Sequence, residues 1–192
     1  MQRLKEDIRL KIIEMGKKRF QKEGYEKTFM KDIAGDVGIS TGNIYRYFLT
    51  KGHLLDEILR ELETQIEEYF HQLPSDYAEI NLKRDFDDLV ELTVNIAQNN
   101  NDVLKVMFNS QSEKQFVKFK EHILTLFIEK MNHIASSIKK DKIDNVLCES
   151  VARSLFEGFT YITKENIDDI QKLRANLQQY GKIMLVDIRN RM

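Results

Sequence analysis

Tryptophan is absent from this chain, and cysteine and proline occur once each in 192 residues. A lone Cys148 cannot close an intramolecular disulfide, which excludes a disulfide-stapled scaffold. Its neighbours Val146, Leu147 and Val151 are apolar, so packing explains it better than catalysis. The single proline, Pro74, leaves little to interrupt long helices. Glycine is scarce as well: eight in all, of which Gly16, Gly24, Gly35, Gly38, Gly42 and Gly52 fall in the first 52 residues. Tight turns are therefore concentrated at the N-terminal end, with long helices expected after it. No apolar run approaches the ~18 residues of a membrane-spanning helix, and no signal-peptide pattern is found. The location expected from these absences is the cytoplasm. Strand-like alternation never lasts beyond a few residues, and no internal repeat is found. The expected fold class is all-α.

What is present suits a folded domain: 42% of residues are hydrophobic and 32% charged, too apolar a balance for a disordered chain. The formal net charge of −1 conceals an asymmetry. Residues 1–51 hold 12 Lys/Arg against 7 Asp/Glu, whereas the remainder holds 18 against 24. A basic small domain joined to an acidic larger one is expected when only the first meets phosphate.

Catalytic and metal-binding patterns are missing. HExxH, CxxC and phosphate-cradling glycine loops do not occur. His122 and His133 share a helix face but lie ~16 Å apart along the axis. Glu61, Glu63, Glu67 and Glu68 read as a solvated face; Asp87 and Asp88 beside Phe86 admit a cation near an aromatic pocket, with plain solvation the favoured reading. No enzyme, metal or cofactor is expected.

The informative stretch is Lys31–Lys51, KDIAGDVGISTGNIYRYFLTK. Ile33, Ala34 and Val37 make one apolar face of a short helix. Gly38 allows a positive φ that ends it, and Ser40 is a preferred N-cap for a second helix. In that second helix Ile44 and Phe48 face inward, leaving Thr41, Gly42, Asn43, Tyr45, Arg46 and Tyr47 outward. So many exposed donors and aromatics suit a helix in a major groove, where donors meet base edges and phosphates.

The spacing Gly24-Tyr25-x-x-Thr28, followed by Asp32-Ile33-Ala34-x-x-Val37-Gly38-Ile39-Ser40-x-Gly42-x-Ile44-Tyr45-x-Tyr47-Phe48-x-x-Lys51, resembles the DNA-binding domain of TetR-family transcriptional repressors over about the first 55 residues. The resemblance implies a three-helix helix-turn-helix domain over residues 1–52 and a helical ligand-binding and dimerisation domain over 53–192. It implies a homodimeric repressor, released from a palindromic DNA operator by a small apolar or amphipathic effector. Thr41, Gly42, Tyr45 and Arg46 would lie nearest base edges, with Ser40 at the front of the helix. Thr28, Asn43, Tyr47 and Lys51 would hold phosphates. The chain departs from the family at Gly16 (usually alanine), at Phe29 (often a second Thr or Ser that reaches phosphate), and at Gly52 and His53 (often acidic).

Helices are expected near 3–23, with Leu4, Ile8, Ile12, Met15 and Phe20 as their apolar stripe, and over 29–37, capped by Thr28. Thr50 should cap a helix over 51–71. Leu73-Pro74-Ser75 then marks a break, and helices follow near 76–98, 102–109 and 113–139. Their crowd of Phe and Met nominates a ligand site: Phe86, Val90, Met107, Phe108, Phe119, Ile123, Phe127 and Phe156, although core filling explains any one of them. The last helices, about 144–163 and 167–189, carry two packing patterns. Ser150, Ser154 and Gly158 form a groove of small residues beside Val151, Leu155 and Ile162, while Ile170, Leu173, Leu177, Tyr180 and Met184 follow a 3-4-3-4 seam. A four-helix dimer interface fits this, and so does burial within one chain. Two other classes stay open on residue pattern alone: an all-α small-molecule-binding protein or enzyme with an incidental helix-turn-helix, and a helical protein-interaction module.

Overall fold

Gly24 and Gly38, at φ +84° and +82°, are the only left-handed residues among those described, and they fix the corners of the N-terminal region. The computed structural model describes residues 2–74, 82–110, 114–137 and 144–191. Every described element is a helix: α1 (Gln2–Glu23), α2 (Met30–Val37), α3 (Thr41–Ile44), α4 (Lys51–Gln72), α5 (Leu82–Asn99), α6 (Asn101–Asn109), α7 (Lys114–Ser137), α8 (Asn145–Asn166) and α9 (Ile170–Arg191). The all-α expectation is met. Ser75, the expected helix start at 76, the 111–113 linker region and the expected end of α7 at 138–139 lie outside the described residues.

Two compact units emerge, one from Met1–Glu63 with Asp102–Phe119, the other from Thr64–Asn101 with Lys120–Met192. In the first, Ile12 and Phe20 of α1, Ile33, Ala34 and Val37 of α2, Ile44, Phe48, and Leu54, Leu55, Ile58, Leu59 and Leu62 of α4 are all buried. The apolar stripes therefore do what their spacing demands. Gly16 is explained by close packing: a Cβ there would stand 3.0 Å from Leu54 Cδ2. Close approach of α4 offsets the roughly 1 kcal/mol that glycine costs inside a helix. Segment 102–119 also packs into this unit. Asp102 accepts a hydrogen bond from Gln21, and Phe116 meets Tyr25 edge-on at 6.4 Å. A crevice among Lys17, Phe20, Leu55, Ile58, Val103 and Val106 has a volume of about 10 Å³, far below what a small-molecule ligand occupies.

In the second unit, α5 and α8 both pack on α9. Leu173 and Leu177 are wholly buried there, so this part of the expected interface seam serves the chain's own core. Gly181 makes a notch for Phe86, whose ring occupies the space a Cβ would need. The Gly158 end of the small-residue groove of α8 is met from within: Tyr180 lies against Gly158 and its hydroxyl donates to the Ser154 carbonyl at 2.8 Å. Cys148 is buried and free, as expected, but Val146 and Leu147 beside it are exposed. α8 is capped by Asp144, whose carboxylate accepts from the Val146 N–H. It runs on to Asn166, and Asp169 opens α9 by accepting from the Lys172 N–H, so the boundary falls three residues later than expected.

Candidate nucleic-acid interface

The second helix of the Lys31–Lys51 stretch is short, and its start is well defined. Gly38 ends α2, its N–H and that of Ile39 both reaching back to the Ala34 carbonyl at 3.0 Å. Ser40 then takes extended backbone angles, and its hydroxyl accepts from the Asn43 N–H at 3.2 Å, the N-cap the sequence led us to expect. Regular α-helix covers only Thr41–Ile44. Beyond it Arg46 N–H bonds to Asn43 O and Tyr47 N–H to Ile44 O, the tighter i→i−3 pattern of a 3₁₀ turn. Ile44 and Phe48 pin the segment from below, both essentially inaccessible.

The opposite side is solvated. Ser40, Thr41, Gly42, Tyr45 and Arg46 are exposed, and Asn43 and Tyr47 half-buried. No atom comes within 4 Å of where a Gly42 Cβ would be, so this face is open to backbone approach. Seven of the nine residues expected at the DNA site thus lie on one short segment.

Thr28 and Lys51 are placed differently. Thr28 is fully buried, its Oγ1 2.9 Å from the Gly24 carbonyl oxygen and 3.3 Å from that of Arg19. It does not cap α2 either: the N-cap is Phe29, without a side-chain cap bond. The β-region φ/ψ of Phe29 and its exposed ring leave the first turn of α2 open. The Lys51 ammonium lies 2.6, 3.2 and 3.1 Å from the carbonyl oxygens of Tyr25, Glu26 and Thr28, and 4.2 Å from the Tyr25 ring centroid. Thr50 caps α4 as expected, accepting from the His53 N–H at 3.0 Å.

Other cations of the basic domain brace the scaffold. The Arg19 guanidinium forks onto both Asp36 oxygens and bonds Glu23, tying α1 to α2 and holding the Asp36 carboxyl below its usual range. Lys11 donates to the Val37 carbonyl at the end of α2. Arg9 pairs with Glu57 and lies over the Phe48 ring. Lys27, Lys31 and Arg46 remain exposed, with no ion pair among the described residues. Lys27 and Lys31 were not singled out by sequence reasoning. Exposure beside the open start of α2 is what draws attention to them, and a pattern of letters does not show exposure.

The residues nominated for a ligand are shared between the two units. Met107, Phe108 and Phe119 belong to the first unit; Phe86, Val90, Ile123, Phe127 and Phe156 belong to the second. In the second unit Phe127 stands edge-on between Phe70 at 4.8 Å and Phe156 at 5.7 Å. Phe86 is instead edge-on to Phe159. Of the interface candidates, Ser150 and Ser154 are exposed, Leu155, Gly158, Ile162, Ile170 and Met184 half-buried, and Leu173 and Leu177 internal. Among the described residues no group of His, Cys, Asp and Glu is arranged to hold a metal ion, and no helix is long and apolar enough to cross a membrane.

Comparison with known proteins agrees with this geometry. The sequence profile described as bacterial regulatory proteins, tetR family, matches residues 12–58. An HTH-type transcriptional regulator of Staphylococcus aureus (strain bovine RF122 / ET3-1) is 39% identical over 70 residues, covering 36% of this chain and 37% of the relative. An uncharacterized HTH-type transcriptional regulator of Bacillus subtilis (strain 168) is 34% identical over 71 residues, covering 33% and 35%. The chain thus spans little more than a third of the length of the curated relatives it matches. Solved structures are similar over nearly the whole length. A TerR/AcrR-family transcriptional regulator of Aquifex aeolicus VF5 superposes with a TM-score of 0.68 at 18% identity, covering 93% of this chain and 99% of that one. The fatty acid degradation regulator FadR of Bacillus halodurans gives 0.69 at 15% identity, covering 92% and 94%. Residues 12–58 thus match the profile of the tetR family of bacterial regulatory proteins, and the chain shares the fold of solved TetR-type regulators over nearly its whole length.

Proposed function

We propose that the chain is a cytoplasmic, non-enzymatic DNA-binding repressor that acts as a homodimer on a palindromic operator and is released by a small apolar or amphipathic effector. The observation that carries the reading is the capped segment Ser40–Tyr47. It offers Thr41, Gly42, Tyr45 and Arg46 outward from a buried Ile44 and Phe48, within a basic N-terminal region. Thr41, Gly42 and Tyr45 take base edges, Asn43 and Tyr47 take phosphates, and Arg46 is free to serve either. The reading domain is residues 1–52, braced by segment 102–119, and residues 53–192 provide the effector and dimer functions.

One short reading segment spans only a few base pairs, so two copies at fixed spacing are needed for selectivity. The exposed faces of α8 and α9 suit such a pairing. Leu147, Ser154 and Tyr161 recur every seven residues on α8, and Ile183 is exposed on α9. For the effector, the Phe70–Phe127–Phe156 contacts are the candidate site. These rings already touch, so a ligand entering there must part them, and it shifts the DNA-binding equilibrium only by its difference in affinity between the two states. Fluorescence anisotropy of labelled duplexes from upstream of the protein's own gene tests the DNA reading. Binding should be sequence-selective and fall steeply with salt. Equal, weak binding to all duplexes would refute it.

A further inference from the structure

Two side chains that the family motif assigns to phosphate turn inward onto the same stretch of backbone, residues 24–28. An ammonium has three N–H donors. Those of Lys51 face three carbonyls, Tyr25, Glu26 and Thr28, at 2.6–3.2 Å, and the Tyr25 ring lies 4.2 Å beneath the charge. Tyr25 is itself buried, edge-on to Phe20 at 5.1 Å and to Phe116 at 6.4 Å, so the cage has a rigid floor. Thr28 closes the loop from its other end through its bond to Gly24 O. Drawing Lys51 out to a phosphate would break charge-assisted hydrogen bonds and leave loop carbonyls without those partners.

We propose that Lys51 is a positioning residue in this protein. It holds the loop between α1 and α2, and with it the start of α2, the helix on which the reading segment packs, while making no phosphate contact itself. The phosphate-neutralising task falls to exposed cations instead, Lys27 and Lys31. This rests on the reading of residues 1–52 as the DNA-binding domain.

Reductive methylation of the wild-type protein, read lysine by lysine by mass spectrometry, separates the possibilities. In free protein Lys51 should react at least tenfold more slowly than Lys27 and Lys31. Adding a duplex the protein prefers should slow Lys27 and Lys31 and leave Lys51 unchanged. A Lys51 that reacts as fast as Lys27 in free protein, or that becomes protected only with DNA, overturns the proposal. The Lys51→Met variant adds a second reading. It should bind DNA at least tenfold more weakly, with an unchanged slope of log K against log salt, whereas Lys31→Met should lower the slope by about 1. A slope reduced by about 1 in Lys51→Met would make Lys51 a phosphate contact. Should that variant fail to fold, judged by circular dichroism, the wild-type protection pattern decides alone. Failure of the DNA reading looks different: wild-type protein forms no complex and no duplex protects any lysine, and with it the role of Lys51 on DNA falls.

Discussion

Tyr45 and Arg46 leave the recognition turn side by side, both exposed, yet they should contribute to DNA binding by different physics. A guanidinium at a phosphate releases a counterion and is indifferent to sequence, whereas a phenol at a base edge discriminates. If Arg46 faces phosphate, Arg46→Ala should weaken binding to all duplexes alike and reduce the salt slope by about 1, whereas an unaltered slope with relaxed preference would move it to a base edge. Tyr45→Ala should change the order of preferred sequences with the salt slope intact, which competition binding measures. At this scale the sequence was legible wherever spacing determines direction. Ile33, Val37, Ile44 and Phe48 are inward because helical periodicity leaves them no other face. It was not legible for Lys51, since a four-carbon stem reaches either outward to DNA or inward to a carbonyl cage. Only the coordinates of residues 25–28, more than twenty positions away, distinguish the two.

The helices of the second unit approach one another where glycine permits it. Phe86 of α5 occupies the notch at Gly181 of α9, and Tyr180 lies on Gly158 of α8. Gly181→Ala would push a methyl into the Phe86 ring, which is also held by Phe159. Overpacking of this kind costs about 1–3 kcal/mol, to be seen as a lower urea midpoint with an unchanged m-value. A stabilised variant would show that the ring moves aside freely. The sequence pattern did announce a close helix contact at Ser150, Ser154 and Gly158, but not its partner. A groove of small residues looks the same whether a tyrosine of the same chain or a second subunit fills it. Periodicity also placed α8 and α9 correctly but misjudged the corner between them. Ile167 reads as apolar helix, yet it is the C-cap of α8, and Asp169 supplies the new start.

Across the whole molecule, the partition of charge and of glycine was visible from composition, whereas the inclusion of 102–119 in the first compact unit was not. That grouping depends on contacts such as Gln21 with Asp102 and Tyr25 with Phe116, separated by about 80–90 positions, which periodicity does not encode. The oligomeric prediction belongs here as well. The Ser154 side chain is exposed in the single chain, so Ser154→Arg should leave the helical fold intact, judged by circular dichroism. On the proposed α8–α9 face it should yield monomers by sedimentation velocity, with DNA affinity reduced by an order of magnitude or more. A variant that stays dimeric would move the interface elsewhere.

The most direct test of the central reading is selection of bound duplexes from a random-sequence pool, followed by sequencing, with wild-type protein and with Tyr45→Ala in parallel. A DNA-reading homodimer predicts one enriched motif, two inverted half-sites at fixed spacing, with the half-site altered in the variant. Enrichment of no motif by the wild-type protein, or of the same motif by both proteins, would contradict the assignment of Ser40–Tyr47 as the reading segment.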